Sequence, residues 1–394
     1  MPVIPNFDPA AVSASVLERL RATLSTQEGF VPLHAPSFAG AEWEYVKECL
    51  DTGWVSTAGK FVERFEHELE TYCGVKRAVA VCNGTAALHA CLIVSGVRAN
   101  DEVIIPSLTF VATANAVMYA NAVPHFADAE EKTLGIDPTK LSSHLDRVGE
   151  MREGQCFNRE TGRRIVAIVP MHTFGHPSQI DELMAIAKHF GLALIEDAAE
   201  SLGSTYKGQH CGTFGRINAI SFNGNKVITA GGGGALLTND EDLADRAKHI
   251  TTTAKLPHPY RYDHDVVGYN YRMPNLNAAL GLAQLEQLPE FLRQKRSLAL
   301  RYKEAFAGLP GLRFVSEPEF SSSNHWLNTL LLERGNEDAL DTILKVTNDA
   351  NLMTRPAWTP MHLLPIFEHC PRMILDTVES LAKRLINIPS SAGL

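Results

Sequence analysis

Ser221-Phe222-Asn223-Gly224-Asn225-Lys226 runs on through Val227-Ile228-Thr229-Ala230 into Gly231–Gly234. Short apolar strands are expected on either side, over Ile217–Ser221 and Ala235–Thr238. One lysine therefore sits in a small polar turn between two buried strands. Lysine is ordinarily a solvated surface residue, so this placement needs a chemical reason. A desolvated amine has a lowered pKa and forms a Schiff base with an aldehyde. The glycines that follow would let a flat group approach the backbone. A plain strand–turn–strand corner with its lysine in water accounts for these residues equally well, and only their surroundings separate the two readings.

Composition bounds the function. With 394 residues, 45% hydrophobic and 21% charged, the chain has the make-up of a globular protein with one sizeable core and a smaller lobe. A formal charge of -9 argues against nucleic acid or an anionic membrane as the main partner. A phosphorylated small ligand stays open, because backbone N–H groups can hold it locally. The seven cysteines form no C-x-x-C pair, which fits free thiols in a reducing compartment better than disulfides or a zinc site. No run reaches the roughly 18–20 apolar residues of a membrane helix. Residues 1–33 lack the basic start and apolar run of a signal peptide. A cytoplasmic location is expected.

Upstream of the lysine, Ala78–Cys82 reads as a buried strand and Asn83-Gly84-Thr85-Ala86-Ala87-Leu88-His89-Ala90 as the start of a helix. A strand, a small polar turn and a helix present free N–H groups and a dipole to a phosphate. Gly84 lets the backbone approach, Thr85 adds a hydroxyl and Ala86 leaves room. An ordinary helix cap is the alternative. Glu102–Pro106 is a second strand, and Ser107-Leu108-Thr109-Phe110 opens a helix running to about Tyr119. Phe110 falls where a ring lies either over a ligand or in the core. Val123–Phe126 and Ile165–Pro170 continue the alternation. Leu192–Ile195 ends in Glu196-Asp197-Ala198-Ala199-Glu200-Ser201. That puts carboxylates at the strand end where ligands of open α/β sheets bind. No Asp/Glu/His cluster at ligand spacing follows, so no metal is expected. Alternation over residues 75–250 predicts a mostly parallel sheet with helices on both faces.

The flanks are less regular. Residues 1–33 read as a polar arm with a helix over Pro9–Leu24, placing Val12, Val16, Leu17 and Leu20 on one face. Helices over about Gly40–Leu50 and Phe61–Tyr72 surround the loop Asp51–Lys60. That loop is no Walker motif, since Phe61 follows the lysine where Ser or Thr is needed. Thr139–Arg164 reads as a surface helix and loop, and Thr251–Met273 as a long functional loop. Pro274–Phe306 reads as a long helical stretch broken near Pro289. A strand over Leu327–Leu332 and a helix over Glu337–Thr347 suggest a smaller C-terminal domain.

In chain order, phosphate turn, aromatic, strand-end acid and lysine form the set that pyridoxal phosphate requires. The motifs Asn83–Leu88, Pro106–Thr113, Glu196–Glu200 and Ser221-Phe222 with Lys226 resemble the DegT/StrS-type sugar aminotransferases. Gly268–Met273 and Arg355–His362 extend the resemblance, which covers about residues 33–390. The arm, Met171–His176 and Ser323–Asn328 resemble the branch that makes 4-amino sugar nucleotide precursors of bacillosamine- and legionaminic-acid-type glycans.

The resemblance implies an α/β, fold-type I pyridoxal phosphate-dependent aminotransferase. A large domain with a mostly parallel seven-stranded sheet flanked by helices (residues 34–270) would follow the arm (1–33). A C-terminal α+β domain (271–394) would complete it. Lys226 would be the Schiff-base lysine and proton shuttle, Asp197 the partner of the pyridine nitrogen, and Glu200 a neighbour of the 3-hydroxyl. Gly84, Thr85, Ala86 and Ser221 would hold the phosphate, and Phe110 would cover one ring face. Asn270 would reach the phosphate in the neighbouring subunit, making a homodimer with shared active sites. His172, His325, Lys60 and Asn223 are candidate sugar nucleotide contacts, with His172 set back by the strand end at Val169-Pro170. The implied reaction takes the amino group of glutamate to the C4 ketone of a UDP-linked 4-keto-6-deoxy-N-acetylhexosamine for surface glycan synthesis. The same chemistry at C3 or on a GDP or dTDP sugar, and a non-catalytic regulator on the same fold, are the alternatives. Two residues depart from the pattern: Gly232 replaces a frequent glutamate, and Glu200 stands where many relatives carry glutamine. Lys226 argues against the dehydratase offshoot, in which a histidine replaces it.

Overall fold

The alternating apolar runs form one layer in the computed structural model, which describes residues 8–24 and 29–394. Four strands lie parallel in the order Val123–Ala127, Glu102–Pro106, Arg164–Ile168 and Ala193–Leu194. Asp197 carries the layer onward, bridging in parallel to Met171 on one side and to Ala219 on the other. Asn218–Ser221 comes next, then Gly234–Thr238, then Arg77–Val81 at the edge. Gly234–Thr238 is antiparallel to both its neighbours. These are the expected seven strands, mostly parallel with one reversed, and two short antiparallel strands are added beside Arg164–Ile168. Glu102–Pro106 and Gly234–Thr238 are buried at every position, as strands covered on both faces must be.

Helix Gly84–Val94 packs between the sheet and helix Val111–Tyr119, and is accordingly apolar on nearly every side. Helix Val111–Tyr119 begins later than expected, leaving Ser107–Phe110 as a loop at the strand end. Helices Glu42–Thr52 and Lys60–Cys73 end at Gly53 and Gly74, whose φ of 73° and 69° is the left-handed cap that glycine adopts freely. A second, antiparallel sheet forms from Leu312–Phe314, Asn328–Leu332, Leu385–Ile388 and Arg355–Pro356. Helix Pro9–Leu24 has the bounds its period predicted. Its Val16 and Leu20 are buried against Leu298, Tyr302 and Ile343 of that second region, so the arm helix completes the C-terminal core. The remainder of the expected arm, residues 1–7 and 25–28, lies outside the described residues.

Two expectations need correction. Thr139–Arg164 holds helix Pro138–Val148 and then a hairpin, Gly149–Arg152 with Gln155–Asn158, rather than a loop. Its turn, Glu153-Gly154, has φ of 49° and 77°, the two-residue geometry that matches strand twist. The hairpin strands are short and polar, so they lacked the alternation that would have betrayed them. Helix Asn275–Ala305 also runs unbroken through Pro289. An interior proline costs about 3 kcal/mol. The residues before it pack on helices Glu42–Thr52 and Lys60–Cys73, and Leu298 and Tyr302 after it enter the second core. Tertiary packing on both halves outweighs the missing hydrogen bond.

At the amino end of strand Glu102–Pro106, Glu102 Oε2 lies 2.8 Å from His125 Nδ1, and His125 Nε2 lies 2.8 Å from His144 Nε2. Burial, then the neighbouring His125 and Arg147, push His144 from 6.5 down to about 4, and burial does the same to His176. Both imidazoles are neutral in the fold and protonate more readily once it opens. Their contribution is therefore full above pH 6.5 and is lost as pH falls from 6.5 towards about 4. Thermal unfolding followed against pH should show a falling midpoint over that window, and His144→Gln should flatten part of the fall.

Candidate active site

Three loops meet at the carboxyl ends of strands in this layer. The first follows Arg77–Val81. There the Asn83 side chain accepts from the Ala86 N–H at 2.8 Å and its carbonyl from the Ala87 N–H at 3.1 Å. Among the described residues, the Gly84 and Thr85 N–H groups are left without an acceptor, at a helix end suited to an anion. The turn is packed so closely that side chains are excluded. A Cβ on Gly84 would lie 2.7 Å from Ser221 Cβ, and one on Gly234 would lie 2.6 Å from the Asn83 carbonyl carbon. Ser221 therefore stands directly against Gly84, the first residue of this turn. Gly232, by contrast, has room for a side chain, since a Cβ there meets nothing nearer than 3.8 Å.

The second loop carries the acids. Asp197 is buried; its Oδ2 accepts from the Thr113 hydroxyl at 2.7 Å and its Oδ1 from the Ala199 N–H at 3.2 Å. Among the described residues no basic side chain pairs with it, so a buried charge is left short of a cationic donor. Glu200 is also buried, and its Oε2 accepts from the Phe174 N–H at 2.9 Å. Phe174 holds a left-handed φ of 56°, and its ring lies 4.9 Å from that of Trp358.

The third loop carries Lys226. The Lys226 N–H donates to Asn223 O at 2.9 Å, closing a tight turn. Its Nζ lies 3.2 Å from Glu200 Oε1 and 3.8 Å from the centroid of the Trp326 ring. Burial pushes the Glu200 carboxyl up to about 7, and Asp197 adds to the shift, while the Lys226 charge opposes it. Burial wins, so Glu200 exchanges its proton near neutrality beside the amine.

The structure gathers Gly84, Thr85, Ala86, Ser221, Asp197, Glu200 and Lys226 at one edge of the sheet. Phe110 is half exposed at the head of helix Val111–Tyr119, with its ring 6.4 Å from Trp358. Asn223 is exposed, its amide 3.3 Å from Asn225 Oδ1. Asn270 is exposed in the Thr251–Met273 loop and accepts from Arg272 Nε at 3.1 Å. Lys60 is exposed at the head of its helix and pairs with Glu48. His325 is buried beside Trp326, with its Nε2 3.6 Å from Glu317. His172 must be corrected as a sugar contact. It is fully enclosed; its Nδ1 accepts from the Ser178 N–H at 3.1 Å, and its Nε2 donates to Glu196 at 2.9 Å. Both ring nitrogens are spent on holding the strand ends. Trp326, Thr113 and Phe174 lie inside the motifs that carry the resemblance but were not singled out as site residues; it is the fold that carries them to the lysine and the acids.

The set fits pyridoxal phosphate. Two free N–H groups and a hydroxyl suit a phosphate, an unpaired buried carboxylate suits a pyridinium, and an amine between them suits an aldehyde. A mostly parallel α/β layer presenting these groups at its carboxyl edge defines a fold-type I pyridoxal phosphate-dependent aminotransferase. Residues 36–394 match the DegT/DnrJ/EryC1/StrS aminotransferase family, and the chain belongs to that family. EpsN of Bacillus subtilis (strain 168), named provisionally as a pyridoxal phosphate-dependent aminotransferase, is 38% identical, covering 92% of this chain and 91% of its own. A GDP-perosamine synthase of Caulobacter vibrioides is 37% identical over 92% of this chain and 94% of its own. The crystal structure of the aminotransferase TlmJ from Streptoalloteichus hindustanus superposes with a TM-score of 0.83 at 26% identity, covering 93% of this chain and 95% of its own.

Two measurements test the site. Gly84→Ala drives a methyl group into Ser221, so the apoprotein should bind pyridoxal phosphate at least tenfold more weakly in a spectral titration, about 1.4 kcal/mol. Because the Glu200 carboxyl titrates at about 7, the pH profile of kcat/KM should carry an inflection there, and Glu200→Gln should remove it.

Proposed function

We propose that this aminotransferase moves the amino group of glutamate to the C4 ketone of a nucleotide-linked 4-keto-6-deoxy sugar, giving a 4-amino sugar nucleotide for surface glycan synthesis. The observation that carries the reading is the lysine held at 3.2 Å from Glu200, beside the phosphate turn and Asp197, in a chain of this family. When bound, pyridoxal phosphate supplies an electron sink for the bonds made and broken at the amine-bearing carbon. The residues of the chain do the rest. Gly84, Thr85 and Ser221 anchor the phosphate, Asp197 keeps the pyridine nitrogen protonated, and the Lys226 amine moves the proton. Glu200 stands by the 3-hydroxyl, and Phe110 covers a ring face. His325, Asn223 and Lys60 are the candidate contacts to the sugar nucleotide.

Two nucleotides compete. The motifs around Met171–His176 and Ser323–Asn328 support a UDP-linked N-acetylhexosamine. Three relatives at 34–37% identity are GDP-perosamine synthases, which favours a GDP-linked sugar. Reaction at C4 is common to both. The working unit in this reading is a cytoplasmic homodimer in which Asn270 completes the neighbouring site. No helix among the described residues is long and apolar enough to cross a membrane.

The visible absorption of lysine-bound cofactor should disappear on adding glutamate and return on adding the correct keto-sugar nucleotide. UDP-, GDP- and dTDP-linked 4-keto-6-deoxy sugars, tried one at a time, identify the nucleotide. Return only with 3-keto sugars would overturn the choice of C4. Lys226→Ala should fold, dimerise and turn over nothing; substantial residual transamination would remove Lys226 from its role.

A further inference from the structure

Trp326 is fixed on every side of its contact with the lysine amine. Its Nε1–H donates to Asn225 O, one residue before Lys226, at 2.6 Å. Its backbone N–H donates to Asn324 Oδ1 at 2.8 Å, and its carbonyl accepts from the fully buried Lys295 Nζ at 3.3 Å. Asn324 in turn donates to the carbonyls of Glu200 and Leu202, both at 2.9 Å. One short segment from the C-terminal part of the chain therefore grips the residues on both sides of the amine. A leucine would keep the position apolar, though it would leave a cavity where the second ring lay. Only an aromatic face adds attraction for a cation at 3.8 Å, and indole does so most strongly.

We propose that Trp326 is a positioning residue for Lys226, its indole face and the Glu200 carboxylate together forming the resting place of the amine whenever it is not bonded to the cofactor. The inference rests on Lys226 being the cofactor lysine. Across the two half-reactions that amine would be displaced from the cofactor, move protons while free, and have to regain the same atom at the end. A lysine side chain has four rotatable bonds, and in water it would sample many positions out of reach. Between an indole face and a carboxylate it keeps one. The ring attracts the ammonium form, Glu200 pairs with it, and the Asn225 carbonyl bond ties the ring to the turn that carries the lysine.

The test uses the holoenzyme after conversion with glutamate, in which the lysine amine is free. Cyanate carbamylates only unprotonated amines, and its rate at Lys226 can be followed by peptide mass mapping as a function of pH. Trp326→Leu should lower the midpoint of that profile by about one unit, so that the rate at fixed neutral pH rises about tenfold. Greater access alone would scale the whole profile without moving its midpoint. Trp326→Phe keeps an aromatic face and loses the Nε1–H, so it should give a smaller shift in the same direction. In single turnovers, the glutamate half-reaction of both variants should slow and show a larger isotope effect with 2-deuterated glutamate. An unmoved midpoint together with an unchanged isotope effect in the Leu variant overturns the proposal. If that variant does not fold, the same null result in the Phe variant overturns it. Turnover by Lys226→Ala would instead refute the role of the lysine itself.

Discussion

The backbone of Asp197 bridges Met171 on one side and Ala219 on the other, and these two bridges join the parallel strands to the three strands around Gly234–Thr238. Its carboxylate emerges at the carboxyl edge of the same layer, with a threonine hydroxyl and one N–H as partners. A buried carboxylate costs several kcal/mol unless a cation or a full set of donors meets it. The residue that completes the sheet thus also leaves it with an unmet electrostatic demand. Lys226, Glu200 and the phosphate turn stand where they do because the layer is continuous at this point.

The second constraint is steric. Strand Gly234–Thr238 lies so near the Asn83 turn that a methyl group on Gly234 would overlap backbone, and Gly84 is pressed against Ser221 in the same way. Close approach brings the two free N–H groups and the serine hydroxyl into one small space, which flexible side chains could do only at an entropic cost. Glu200 adds an electrostatic feature of a different kind. Burial raises its carboxyl to about 7, next to the lysine amine.

Much of this was legible in the chain. Runs such as Ala78–Cys82 and Leu192–Ile195 are apolar because both faces of the sheet are covered, and the turns after them carry the small residues and acids that a ligand edge needs. Helix Pro9–Leu24 followed from its period alone. Other features depend on contacts between distant segments. Pro289 stays helical because two separate cores hold the halves of helix Asn275–Ala305. His172 is withdrawn from the site by Glu196 and Ser178, partners its own neighbourhood does not announce. Trp326 reaches Lys226 across a hundred positions, through Asn324 and Asn225. Chemistry written in consecutive residues was readable, and chemistry assembled by packing was not.

The pairing of Val81 with Gly234 has a consequence for how the molecule is made. Strand Arg77–Val81 emerges early from the ribosome, yet its ladder partner is synthesised only after most of the sheet. At about 5–20 residues per second, the nascent protein carries an unpaired strand and half a ligand cradle for many seconds. Such a long-range pairing closes late and leaves an open edge for intermolecular association in the meantime. Cofactor cannot guide this step, because its binding surface does not exist until residue 238 is out. It acts afterwards, by mass action, as a lock on the finished fold.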